Sequence, residues 1–210
     1  MSDYVDASPT CTERLTVSTK IGIIIGSTRP GRNGGAIARW VNTIASKRTD
    51  AEFEVVDLLD YNLPHLDEAV PASRGQYAND HTKAWAEKIA EFDGYIFVTP
   101  EYNHSTSGVL KNAIDYLYAE WNNKSAGFVS YGGSGGSRAV EHLRLVVAEL
   151  QIADVRAQLG LSLVSDFENY TTFIPTARHE AHLDSVLEQT VAWAGALKPL
   201  RETARELSAA

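Results

Sequence analysis

One stretch limits what this chain can fold into: Lys20 to Arg39, KIGIIIGSTRPGRNGGAIAR. Ile21-Gly22-Ile23-Ile24-Ile25 is an apolar, β-branched run, and such a run reads as a strand covered on both faces of a parallel sheet. It ends in a small, hydroxylated, basic loop from Gly26 to Gly35, after which Ile37, Trp40, Val41 and Ile44 recur at helical spacing. Strand, small-residue loop and helix N-terminus is an arrangement that holds a phosphate. The first-turn N–H groups lack intrahelical partners, and the helix dipole favours an anion there. Ser27 and Thr28 offer hydroxyls, and Arg29 or Arg32 offers a charged fork. The competing reading is a plain tight turn with two surface arginines. No Gly-Lys-Ser/Thr follows Gly31, so this is not a P-loop. The glycines fall at 22, 26, 31, 34 and 35, which does not fit the dinucleotide fingerprint either. The loop therefore suits a mononucleotide.

The chain has 210 residues, 44% of them hydrophobic, enough for one core and most simply one domain. Its formal net charge of −8 argues against nucleic acid or a membrane surface as partner, since either polyanion would be repelled. The single cysteine, Cys11, rules out an intrachain disulfide, and a reducing, cytoplasmic setting is expected. No signal peptide or membrane span is expected. Residues 1–18 are polar and irregular and read as a flexible tail. Residues 19–198 read as the domain and 199–210 as a charged C-terminal extension after Pro199.

Strands are expected at about 20–26, 51–59, 94–99, 124–130 and 154–164. Helices are expected at about 34–48, 79–92, 108–120, 137–151 and 178–197, the last carrying Leu183, Val186, Leu187, Val191 and Trp193. Residues 60–80 read as a long loop, a lid or interface arm. Alternating strands and helices imply an α/β doubly wound sheet with helices on both faces. Five strands suggest the flavodoxin-like order 2-1-3-4-5, whose ligands bind at the switch point between the first and third strands.

Three unusual loops, 26–35, 100–108 and 131–137, all follow strands and would gather at one sheet edge. The second offers Tyr102 as an aromatic face and Asn103 as an amide that donates and accepts. The third, Tyr131-Gly132-Gly133-Ser134-Gly135-Gly136-Ser137, offers a bare backbone floor. A phosphate hole, an aromatic wall and a backbone floor suit FMN. Tyr102 packing on a helix and a merely flexible glycine turn are the bland readings of each loop taken alone. His179 and His182 lie three apart but show no third ligand, so they read as a structural or solvated pair and no metal is expected. His104 reads as a bystander beside the second loop. No G-x-S-x-G elbow is present.

At these residues the chain resembles the NADPH-dependent FMN reductase family, which includes quinone, azo and chromate reductases. The resemblance runs from about Lys20 to Leu163. It is most specific over Thr99-Pro100-Glu101-Tyr102-Asn103-His104-Ser105 and Gly108-Val109-Leu110-Lys111-Asn112-Ala113-Ile114-Asp115. Gly26-Ser27-Thr28-Arg29 and the glycine-rich loop extend it. The resemblance implies that Ser27 and Arg29 bind the FMN phosphate, and that Pro100, Glu101, Tyr102 and Asn103 line the isoalloxazine and ribityl chain. Gly132, Gly133 and Gly135 would meet the ring through the backbone. Many members carry Ser and Asn where this chain has Arg32 and Gly34, and Pro where it has Ser107; Arg32 is a candidate replacement ligand. The candidate cofactor-binding set is completed by Thr28, Asn33, Gly34, His104, Ser105 and Tyr131, and no side chain is assigned an acid–base role.

The resemblance implies an FMN-dependent NAD(P)H oxidoreductase, taking NADPH or NADH and passing electrons to a small acceptor such as a flavin or quinone. A homodimer or homotetramer is expected, with the 60–79 loop of a partner completing the site. The alternatives are a flavodoxin-type one-electron carrier, which needs no nicotinamide pocket, and a flavin-dependent regulatory binding protein.

Overall fold

The computed structural model describes residues 19–209; the tail at 1–18, with Cys11, lies outside the described residues. Five parallel strands form the sheet: β1 (Thr19–Ile25), β2 (Ala51–Asp57), β3 (Gly94–Pro100), β4 (Lys124–Gly132) and β5 (Ile152–Ser162). Their order is β2-β1-β3-β4-β5, as the sequence pattern implies. β3 and β4 are buried along their whole length, including Lys124, Ser125 and Ser130 of β4.

The helices are α1 (Gly34–Ala45), α2 (Leu58–Tyr61), α3 (Asp80–Ala90), α4 (Gly108–Asp115), α5 (Ser137–Glu149) and α6 (Ala177–Ala209). On one sheet face Ile37 and Val41 of α1 and Leu183, Val186 and Leu187 of α6 pack on Ile23, Ile96 and Val129. On the other, Trp85 of α3, Leu110 of α4 and Val140 of α5 pack on Ile24, Phe97 and Phe128. Burial of such side chains contributes roughly 1.5–3 kcal/mol each.

Five local expectations change. The helix expected over 108–120 stops at Asp115, and a 3₁₀ turn at Ala119–Trp121 follows. That break drives Trp121 into the core, where its indole N–H donates to Ile114 O at 3.1 Å. The last helix does not stop near 197 but runs through Pro199. Beyond the proline, buried Arg201 pairs with Asp93 and donates to Asn123 O at 2.5 Å, so tertiary contacts hold the extra turns. The stretch before α6 contains a small antiparallel ribbon, β6 (Phe167–Glu168) and β7 (Thr172–Phe173). His179 is buried beside Phe173 and 3.5 Å from Asp166, a structural rather than a solvated position. Trp193 is half exposed, off the buried stripe of its helix.

Candidate active site

The three loops meet at the C-terminal ends of β1, β3 and β4. Ser27, buried after β1, has its Oγ 3.1 Å from the Tyr102 hydroxyl after β3, and accepts from its neighbour Arg29 N–H at 3.3 Å. Arg29 is exposed, and its guanidinium lies 5.8 Å from the Tyr102 ring centroid. Thr28 faces the same cleft. The second and third loops are joined through Glu101: its N–H donates to Tyr131 O at 2.9 Å, and its carboxylate receives Arg138 Nε at 2.6 Å.

The second loop is a tight turn. Tyr102 and Ser105 exchange backbone hydrogen bonds of 2.9 and 3.1 Å, with Asn103 and His104 between them at φ +48° and +73°. Two successive positive φ values define a primed hairpin turn, a conformation that a histidine holds only at some cost. Ser105 Oγ lies 2.9 Å from His142 Nδ1, so α5 braces the turn. Pro100 closes β3 against Tyr131. After it, Ser107 caps α4, accepting from Leu110 N–H at 3.2 Å and donating to Gly26 O. A proline at this position would have no hydroxyl and could make neither bond.

α1 begins at Asn33 without a side-chain cap and with no acidic residue in its first turn. Its first N–H groups are open to an anion. Asn33 Nδ2 instead donates to Tyr170 O at 2.9 Å, tying the ribbon loop to the first loop. Gly34 is buried under Tyr131. Arg32, the candidate replacement phosphate ligand, is committed to Asp57 at the end of β2. The third loop turns through Gly135 and Gly136 at φ +72° and +75°. A Cβ on Gly136 would sit 2.7 Å from Ser130 Cβ, so the return is open only to glycine. Gly132 is packed on Glu101, whereas Gly133 faces open space.

The structure thus brings the three loops together, with the side chains of Arg32 and Asn33 diverted to Asp57 and Tyr170; the candidate residues that line the cleft come from the first two loops. Sequence reasoning missed the far wall. An open cleft of about 860 Å³ runs from Ser27, Thr28, Arg29 and Tyr102 to Leu63, Pro64, His65, Val109, Lys111, Asn112 and Asp115. The length of the 60–79 loop was the signal for that wall. Asn112 lay inside the quoted Gly108–Asp115 motif without a role.

Two polar atoms near the loops are buried without a hydrogen bond of normal geometry: Glu101 Oε2, and Tyr131 Oη, which lies against Gly34 N–H and Ser27. Burial pushes the Tyr131 phenol well above its ordinary range, so it stays protonated at neutral pH. Orphaned buried polar atoms are costly unless something meets them. An uncapped helix end, a hydroxyl–phenol pair, a glycine floor and unmet polar atoms fit a phosphorylated planar heterocycle such as FMN.

These features define a flavodoxin-like mononucleotide site. The comparisons with known proteins agree. The family model described as NADPH-dependent FMN reductase matches residues 19–166. An NAD(P)H-dependent FMN reductase of Schizosaccharomyces pombe is 41% identical over 154 residues, 72% of this chain and 77% of that protein. A quinone reductase of Escherichia coli K12 is 35% identical over 147 residues, 66% of this chain and 72% of that protein. Among solved structures, the flavoenzyme NAD(P)H:acceptor oxidoreductase FerB of Paracoccus denitrificans shares the fold. Its TM-score is 0.66 at 19% identity, over 84% of this chain and 97% of that one. The chain belongs to the NADPH-dependent FMN reductase family, a class of FMN-dependent NAD(P)H oxidoreductases.

Proposed function

We propose that this chain reduces a quinone-type or flavin acceptor at the expense of NAD(P)H, donor and acceptor using one cleft in turn. For a quinone the balance is one hydride from NAD(P)H and one proton from water, giving NAD(P)+ and the hydroquinone. When bound, FMN supplies the two-electron relay between them. Ser27, Arg29 and the start of α1 would hold its phosphate. Tyr102, Glu101 and the Gly132–Gly133 backbone would flank its ring. The Arg138–Glu101 pair fixes the turn that aims Tyr102, and Ser107 fixes that turn to the end of β1. Catalysis here is positioning, and the site needs no acid–base side chain.

The observation that carries the reading is the joining of all three loops by Ser27–Tyr102 and Glu101–Tyr131 beside an open 860 Å³ cleft. Steady-state NADPH oxidation with 1,4-benzoquinone tests it. Parallel double-reciprocal lines are expected when one cleft serves both substrates; intersecting lines would contradict the shared cleft.

We also infer a homodimer, supported by exposed Leu59, Leu66 and Val109, which lie in or beside the far wall. Light scattering showing a monomer at micromolar concentration would overturn this. A cytoplasmic location is proposed from cysteine usage; among the described residues no helix is long and apolar enough to cross a membrane.

A further inference from the structure

The far wall of the cleft is not a loose loop. Asn112, on α4, grips it with both ends of its side-chain amide: Nδ2 donates to Pro64 O at 2.7 Å, and Oδ1 accepts from Leu66 N–H at 3.0 Å. One turn further along, the Tyr116 hydroxyl reaches Pro64 O at 3.2 Å and Asp67 Oδ1 at 2.9 Å. Asp67 is in turn met by His81 Nε2 at 3.0 Å and Asn79 Nδ2 at 3.1 Å on the α3 side. These bonds fix the backbone of residues 64–67 against α4, whose first turn faces the same cleft through Val109. Asn112 also lines a smaller chamber of about 170 Å³ that shares Thr28, Leu63 and Val109 with the cleft. No charged side chain lines that chamber.

We propose that Asn112, assisted by Tyr116, is a positioning residue that sets the width of the cleft at the Leu63–His65 wall, and so selects among ring-substituted quinone acceptors. This rests on the reading of the cleft as the acceptor site. An amide that both donates and accepts across a two-residue span holds a backbone at fixed distance, which a single bond cannot. A wall fixed in this way discriminates by shape. Freed, it admits bulky and small rings more equally, because a hydrophobic wall separates substrates differing by a few carbons by on the order of tenfold or more.

The test compares 1,4-benzoquinone with phenyl-1,4-benzoquinone on FMN-loaded wild type, Asn112→Ala and Tyr116→Phe. Taking each variant's ratio of the two kcat/KM values cancels the intrinsic reactivities of the quinones. The proposal expects the ratio to move several-fold, through KM, in Asn112→Ala and in the same direction, less far, in Tyr116→Phe. FMN affinity should hold, and the Leu66 amide should exchange hydrogen faster. Equal loss of kcat on both quinones, or an unchanged ratio with faster exchange, would overturn it. Wild type that reduces neither quinone would instead overturn the acceptor reading. Unchanged Leu66 exchange in both variants would overturn the clamp itself, whatever the turnover.

Discussion

A Cβ placed on Gly34 would lie 2.9 Å from the Tyr131 hydroxyl. The first helical residue of α1 and the last aromatic of β4 are therefore fitted to each other, and a larger side chain at this place would not fit unless Tyr131 moved. Gly34→Ala should destabilise the apoprotein by about 1–3 kcal/mol through overpacking. Tyr131→Phe removes the hydroxyl that a Cβ on Gly34 would meet. It should relieve most of the Gly34→Ala defect. Thermal melts of the two variants and their double mutant read this; additive effects would refute the contact.

The Ser27–Tyr102 bond separates two contributions to cofactor binding. Tyr102→Phe keeps the aromatic face and loses the hydroxyl, so FMN affinity should fall by about 3- to 10-fold, the worth of one net hydrogen bond. Ser27→Ala also frees the Arg29 N–H and removes a hydroxyl from the first loop, so its loss should be larger. Quenching of FMN fluorescence on titration measures both. Equal affinities in all three proteins would remove Ser27 from the site.

At the opposite end of the sheet, Lys20, Glu54, Lys88 and Glu91 form an ion-pair cluster. Hydrogen bonds from Lys88 and Lys20 hold the Glu54 carboxyl below its ordinary value of 4.5. The hydrogen bond that Lys20 donates to Glu91, then the one it donates to Glu54, raises Lys20 above its ordinary 10.5. A lowered acid contributes stability above its unfolded value and loses it as pH falls through the folded one; a raised base contributes below its unfolded value and loses it as pH rises through the folded one. The melting-temperature gap between wild type and Glu54→Gln should be level between pH 4.5 and 10.5 and close outside that window. A gap that persists in acid would contradict the assignment. The cluster is partly exposed, so the gap should shrink with salt.

Arg201→Ala should lower stability by about 1–3 kcal/mol, because it breaks a largely buried pair with Asp93. FMN affinity should be untouched, since Asp93 precedes β3 and the site lies at the other end of that strand. A melt and a flavin titration on one preparation decide it; a weakened flavin site would contradict this placement.

The sheet order was legible because strand-like segments alternate with helix-period stripes, and the loops after β1, β3 and β4 were legible because their small residues stand out. What stayed hidden depends on distant partners. Arg32 looks available in sequence, but Asp57, 25 residues on, takes it. β6 and β7 are two residues each, too short to show a period. Pro199 reads as a stop, and only Asp93 and Asn123 explain why the helix continues. Asn112 carries no signal of its own, because an amide on a helix reveals its use only when the loop it holds is in place.

The most direct measurement is the visible absorption spectrum of the purified protein before and after anaerobic NADPH. We expect two flavin bands that bleach with NADPH and return when a quinone is added. Bands that survive NADPH and NADH but bleach with dithionite would mean a one-electron carrier, and no bands after soaking with excess FMN would contradict the flavin site itself.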